Sequence, residues 1–355
     1  MVPGIGCRVY RQLLEVCGDP KEIFGMGHRE LRELFGRHEE TIGAIESGAT
    51  LKRAEEELRF AERYGVDILF CRDEEYPQRL NRAECADTPV ILYRKGKCDL
   101  NGRYSVGIVG TRKATVYGKE TAERIVRDLK REDLTVVSGL AYGIDTASHR
   151  ASVANGVATV GVLGHGLDMI YPSQNRSLAA EIVEKGGALV SEYMSGTKIN
   201  PANFPARNRI IAALSDAVIV VEASEKGGAL ITANIANSYH RDVFAVPGRL
   251  EDTYSRGCLG LVAGNKATLY SSAKEFCYAM RWEEPAGGGE QQELFATLSE
   301  EEREMARLLE EEGMMTIDEI YAKTTLPLPK IAKILMEMEF KSVVKCLPGK
   351  RYKIM

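Results

Sequence analysis

The stretch Asn203-Phe204-Pro205-Ala206-Arg207-Asn208-Arg209 sets an aromatic ring beside two guanidiniums and an amide. A ring can stack on a nucleobase while guanidiniums hold backbone phosphates, the combination that suits an unpaired strand. The same residues also suit an Arg-rich helix start with Phe204 turned into a core. Three other loops favour the first reading. Gly110-Thr111-Arg112-Lys113-Ala114-Thr115 brings small residues, hydroxyls and a guanidinium. Ser138-Gly139-Leu140-Ala141-Tyr142-Gly143 brings a hydroxyl and two glycines, and Lys226-Gly227-Gly228-Ala229-Leu230-Ile231-Thr232 is again glycine-rich and opens a helix. Backbone N–H groups can approach an anion closely at such turns and helix starts, so all three suit phosphate capture.

Loops of this kind need a rigid edge to stand on. From Val106 onward, short apolar runs recur: Val106–Val109, Thr135–Val137, Ala158–Leu163, Ala188–Val190, Ala217–Val221 and Val243–Val246. Helical stretches such as Lys119–Lys130 and Asn175–Glu184 lie between them. β-branched runs separated by helices predict βαβ units, hence a parallel sheet covered on both faces. The expected fold class is α/β, with an extended Rossmann-like parallel sheet over residues 100–282. Ligands of an open parallel sheet sit beyond the carboxyl ends of its strands, where all four loops would fall.

Residues 1–72 predict a small helical domain of helix-hairpin-helix or SAM-like type, with turns at Pro3-Gly4-Ile5-Gly6 and Gly25-Met26-Gly27 and a long helix over Leu51–Tyr64. Its hairpins suit either DNA contact or ordinary packing. Residues 73–99 are expected to be a linker with a short strand at Val90–Tyr93, and 283–297 a flexible, Glu- and Gly-rich linker. Residues 298–355 predict three helices and a β-hairpin, a winged helix with 328–339 in the recognition position. That helix carries Lys330 and Lys333 but also Glu337 and Glu339, and both a DNA-reading and a protein-docking role fit.

Composition narrows the classes. The chain has 355 residues, 44% hydrophobic and 28% charged, and a formal charge of −4. No apolar run approaches bilayer length and no signal-peptide pattern follows Met1, so a soluble, cytoplasmic protein is expected. Eight cysteines without a CxxC pair and five histidines signal neither a disulfide framework nor a zinc site. The negative charge is concentrated: residues 283–312 hold 2 basic against 11 acidic side chains, while 101–214 hold 14 against 10. A polyanionic partner is therefore permitted.

Taken in order, Ser138 through His149, Gly161-Val162-Leu163-Gly164-His165-Gly166-Leu167-Asp168 with Tyr171-Pro172, Ser191-Glu192, Phe204 through Arg209, Gly228 through Ala233 and Val246-Pro247-Gly248 resemble the DprA/Smf DNA-processing family. The resemblance covers nearly the whole sheet region, and the flanking domains fit the same architecture. It implies a single-stranded-DNA-binding protein that protects incoming DNA and loads RecA during natural transformation, as a homodimer through the Rossmann-like domain, without cofactor or turnover. It further implies Thr111 and Arg112, Ser138 and Gly139, Phe204 with Arg207, Asn208 and Arg209, and Gly228 with Thr232 as the DNA pocket. Three features depart from the pattern: the sequence begins almost at the first hairpin, so the helix that usually precedes Pro3 is expected to be absent, Gly227-Gly228 replaces Ser-Gly, and Gly257-Cys258-Leu259-Gly260 lacks the usual Asn.

Other classes fit less well. A nucleotide N-glycosidic hydrolase of similar fold would need a carboxylate in Gly227–Asn234, which holds none. Asp145 and His149 stand one helical turn apart and are read as a helix-end acid and a packed histidine. A nicotinamide dehydrogenase would need GxGxxG where Val109-Gly110-Thr111-Arg112 stands. A scaffold that binds only protein partners leaves Arg112, Phe204 and Arg209 without a task.

Overall fold

The structure is a computed structural model describing residues 2–82, 85–282, 299–324, 326–341, 343–347 and 351–354. It divides into two units, residues 1–282 and 283–355. The first unit opens with five helices, α1 (Cys7–Cys17), α2 (Pro20–Gly25), α3 (His28–Phe35), α4 (Glu39–Glu46) and α5 (Ala49–Tyr64). Leu13, Ile23, Leu31, Ile42 and Ile45 form their small core.

Nine described strands then build one sheet: β1 (Asp67–Phe70), β2 (Ile91–Gly96), β3 (Tyr104–Val109), β4 (Leu134–Ser138), β5 (Ala158–Leu163), β6 (Ala188–Ser191), β7 (Ala217–Val220), β8 (Asp242–Ala245) and β9 (Thr268–Leu269). Their spatial order is β1-β2-β6-β5-β4-β3-β7-β8-β9. The run from β6 to β9 is parallel, and β2 joins β6 antiparallel, with Tyr93 opposite Ser191. Order reverses at β3, which has β4 on one side and β7 on the other, the switch point where a parallel sheet opens a crevice.

Alternation along the strands assigns the two faces. Val106, Ile108 and Val136 pack against α6 (Val116–Asp128), α7 (Ile144–Asn155) and α12 (Ala273–Met280). Val137, Val160, Val218 and Val220 pack against α9 (Asn203–Leu214) and α10 (Gly228–Ser238). Helix α8 (Arg176–Glu184) adds Leu178, Ala179 and Ile182 against Leu163 and Leu189, and α11 (Arg256–Ala263) seats Cys258 and Leu261 in the α9–α10 layer. The extended Rossmann-like sheet expected over 100–282 is thus present. Helix α6 starts at Val116, ahead of the expected Lys119, because the Thr115 hydroxyl caps it by accepting the Gly118 N–H at 3.1 Å.

Residues 73–99 do not behave as the expected linker. They carry β2, a full member of the sheet, and Tyr76, Leu80 and Leu92 are fully buried in the main core. Arg79 grips Asp216 with two hydrogen bonds, 2.8 and 2.9 Å, and donates to Gly102 O. The strand expected at Val90–Tyr93 runs Ile91–Gly96, and β1 falls inside the stretch expected to be wholly helical. Pairing decides this: Arg94, Lys95 and Gly96 extend the strand beyond the apolar run at Val90–Tyr93 by continuing the ladder with β6, and Asp67–Phe70 becomes a strand by pairing with β2.

The second unit carries α13 (Glu300–Glu312), α14 (Ile317–Lys323) and α15 (Leu328–Phe340), with strands β10 (Met315–Thr316), β11 (Val344–Leu347) and β12 (Arg351–Ile354) in the order β10-β12-β11. This is the expected winged helix, closed over Met305, Ile320, Ile331, Leu335 and Met338. The expected linker 283–297 lies outside the described residues.

One contact ties the helical module to the sheet near its carboxyl edge. Glu57 of α5, nearly fully buried, accepts from Ser195 N at 2.9 Å and Ser195 Oγ at 2.6 Å, while Arg53 bridges Glu57 at 2.8 Å and Ser195 O at 2.6 Å. Glu57→Ala leaves those donors without their acceptor and is expected to lower unfolding free energy by about 1–3 kcal/mol. Urea titration checks this; an unchanged midpoint would show that the network contributes nothing.

Candidate nucleic-acid interface

At the carboxyl edge beside the switch point, a cavity of about 540 Å³ opens between the loops after β3, β4 and β7 and the first turns of α9 and α10. The loops are tied to one another by backbone bonds. Thr111 N donates to Glu222 O at 2.7 Å, Ile144 N to Thr111 O at 3.3 Å, and Ala223 N to Tyr254 O at 2.7 Å. Gly143, at φ +80°, lets two loops touch, since a Cβ there would overlap Thr111 O.

Of the residues picked from sequence, Thr111, Arg112, Phe204, Arg207, Asn208, Gly228 and Thr232 all line this cavity. Arg112 is exposed, with no hydrogen bond or ion pair among the described residues, and its guanidinium carbon lies 5.6 Å from the Phe204 ring centre. The half-buried Phe204 ring also meets Tyr171, 5.7 Å between centres at 36°, and abuts Gly164. The α10 helix begins at Gly228 with no side-chain cap at Gly227; the Leu230 N–H turns back to Gly227 O at 3.1 Å, and the Gly228 and Ala229 N–H groups remain available to a ligand.

Arg207 is the cavity's buried cation, 4% exposed. It donates to Val162 O, and its Nε has no partner among the described residues. Burial pushes its pKa down to about 10, with Arg112 adding to the push and Asp145 opposing it, so it stays cationic at neutral pH. Burial likewise raises the pKa of Asp145, opposed first by Arg207 and then by the backbone donors it accepts from.

Gly139 and Ser138 fall outside the cavity lining. The loop's donors are already used: Gly139 N and Ala141 N both give to Asp145 Oδ2, at 3.2 and 3.3 Å, and Ser138 Oγ gives to Ile108 O at 2.6 Å. Asp145 thus takes the place an anion would occupy. Gly139 serves differently, since any Cβ there would overlap the Arg207 guanidinium. Arg209 also lies elsewhere, paired with Glu192 at 2.6 Å, both side chains largely buried. Residues two apart on a helix point to nearly opposite sides, so Arg207 and Arg209 cannot share one cavity.

Sequence reasoning passed over Lys113, Ser224 and Tyr254, which line the cavity, and Tyr171, which packs on Phe204. Lys113 follows Arg112 directly and was legible; Tyr254 arrives from beyond β8 and was not. His149 is the packed histidine expected, its Nδ1 2.8 Å from Thr159 Oγ1, and it does not line the cavity. In the winged helix, Lys330 pairs with Glu301 and Lys333 with Glu337, so the recognition helix presents lysines that already have acidic neighbours.

Comparison with known proteins follows the same outline. Residues 67–281 match the family described as DNA recombination-mediator protein A, and residues 290–350 match the DprA winged helix domain. Protein Smf of Synechocystis is 32% identical, the match covering 93% of this chain and 88% of that protein. The structure of DNA processing protein A from Streptococcus pneumoniae is 32% identical with a TM-score of 0.65, over 78% of this chain and 93% of that one. That of DNA processing protein A from Helicobacter pylori, described for its single-stranded DNA binding mode, is 29% identical with a TM-score of 0.55, over 62% and 97%.

Burial pushes the His149 pKa from 6.5 down to about 3, with Arg207 adding to it. Below about pH 6.5 the unfolded chain takes up a proton that the folded protein refuses, so this group removes up to about 1.4 kcal/mol of stability per pH unit as pH falls toward 3. His149→Asn is expected to flatten the acid side of the stability–pH curve, whatever its effect at pH 7. An unchanged slope between pH 6 and 4, read by denaturant titration, would place the acid sensitivity in other groups.

Proposed function

Because the chain belongs to the DprA/Smf family of DNA recombination mediators, we propose that it binds single-stranded DNA at the cavity beside the switch point. The observation that carries this is the Arg112–Phe204 pair: a guanidinium without an ion-pair partner among the described residues, held over a half-buried ring, on a wall that also holds Arg207, Lys113 and the start of α10. Guanidiniums and helix N–H groups suit phosphates, and the ring suits a base. The half-buried ring lies against Arg112 and Tyr171, a setting that supports contact with an unpaired base. A duplex, whose bases are stacked and paired, presents none.

On this reading the protein protects the strand and loads RecA on it during natural transformation, as a homodimer through the Rossmann-like unit, in the cytoplasm. Among the described residues no helix is long and apolar enough to cross a membrane. It works without turnover: Asp145 spends its carboxylate on backbone N–H groups and His149 is uncharged and buried, which supports binding over hydrolysis.

Arg112→Ala is expected to weaken all sequences alike and to lower the slope of log affinity against log salt by about 1. Fluorescence anisotropy of a labelled single strand across a salt series, with the matching duplex as control, measures it. Wild-type affinity in the variant would sink the assignment. Phe204→Ala is expected to cost roughly 1–3 kcal/mol of binding if the ring stacks on a base. Lost thermal stability with unchanged affinity per folded molecule would instead make the ring a packing element. RecA filament assembly on the same oligonucleotide, with and without the protein, tests loading; no acceleration would refute it.

A further inference from the structure

A second cavity, about 740 Å³, opens next to the first on the same carboxyl edge, walled by the start of α6 and the loops after β7 and β8. Tyr254 lines both cavities. Its backbone is fixed: Tyr254 O accepts from Ala223 N at 2.7 Å, and Gly257 N donates to Ala223 O at 2.9 Å, so the residue forms a rigid divider between the two. The preceding loop is pinned as well, because Ser255 occupies the space a Cβ on Gly248 would need.

The second cavity has the chemistry of a base site with one phosphate contact. Tyr117 stands at its rim, 47% exposed, with its hydroxyl donating to Pro247 O at 2.9 Å, which holds the ring in place. The acid in the wall, Glu222, is satisfied by Thr115, whose N–H donates to Oε2 at 3.0 Å and whose hydroxyl donates to Oε1 at 2.5 Å. Arg249 is exposed, and among the described residues its guanidinium makes no hydrogen bond or ion pair. Glu222 and Asp252 make the wall a poor place for phosphate alone, whereas a tyrosine face beside a free arginine suits a neutral base followed by its backbone.

We propose that a strand leaving the first cavity crosses Tyr254 and sets its next base in the second, against Tyr117, with the intervening phosphate met by Arg249. This rests on the first cavity's binding single-stranded DNA. It makes the protein's preferred ligand a continuous strand longer than the first cavity holds, and not an isolated nucleotide.

Oligothymidylates of increasing length, titrated at one low salt concentration, test it. Wild-type affinity should climb as the oligomer outgrows the first cavity. The double variant Tyr117→Ala, Arg249→Ala should match wild type for the shortest oligomers that bind and fall about tenfold or more behind for longer ones. Tyr117→Phe keeps the stacking face but loses the tether to Pro247 O, and for the longer oligomers it should stay closer to wild type than the double variant does. Equal affinity of wild type and double variant for the long oligomers overturns the proposal, and so does an equal loss at every length. Both side chains are exposed, and unchanged thermal melting confirms that the fold is intact. Arg112→Ala, run in parallel, should weaken every length; if it does not, the first cavity's assignment falls, independently of the result for Arg249.

Discussion

A guanidinium almost without access to water sits where α9 meets the ends of β4 and β5, and much of the site is arranged around it. Burying the Arg207 charge is costly unless its surroundings return the lost hydration. Val162 O and the nearby carboxylate of Asp145 do this in part, and Gly139 has no side chain so that the guanidinium can lie against the backbone. One Arg207 nitrogen still lacks a partner among the described residues, and that nitrogen belongs to a residue on the cavity wall. A polyanion bound there would meet a charge whose position is already set, so little ordering remains to be done at binding.

The rest of the fold keeps this arrangement from relaxing. Asp145 cannot swing toward a ligand without abandoning Gly139 N and Ala141 N, and the loop after β3 is stitched to its neighbours on both sides through Thr111. The helical module acts from farther off. Glu57 and Arg53 clamp Ser195 in the segment that runs into α9, the helix that carries Phe204, Arg207 and Asn208. Phe204, without such bonds, is held by contacts to Gly164, Tyr171 and Arg112. The cations are thus divided by role: Arg207 is fixed and buried, while Arg112 is exposed and, among the described residues, without a hydrogen bond or ion pair.

Residues that announce themselves through local pattern were legible from the chain alone. Six strands of the parallel sheet were readable because a strand buried on both faces must be apolar along its whole length. The winged helix was readable because its helices and hairpin each carry their own turn signals. Seven of the ten site residues picked from sequence line one cavity, because loops at the carboxyl edge of a parallel sheet are brought together by the topology itself.

What the sequence could not decide depends on partners far away along the chain. Ser138 reads as a phosphate donor until its hydroxyl is found on Ile108 O, and the loop's free N–H groups vanish once Asp145 folds back on them. Arg207 and Arg209 look equivalent in the sequence, yet helical geometry sends one to the cavity and the other to Glu192. Residues 73–99 look like a linker because their Pro- and Asp-punctuated pattern is local, whereas what buries Tyr76, Leu80 and Leu92 and pairs β2 with β6 comes from elsewhere along the chain. Sequence by itself determined which residue types gather at the sheet edge, since periodicity and glycine placement are local. Only the tertiary structure decided which of their charges and donors stay free for a ligand, because that is settled by whichever buried groups reach them first.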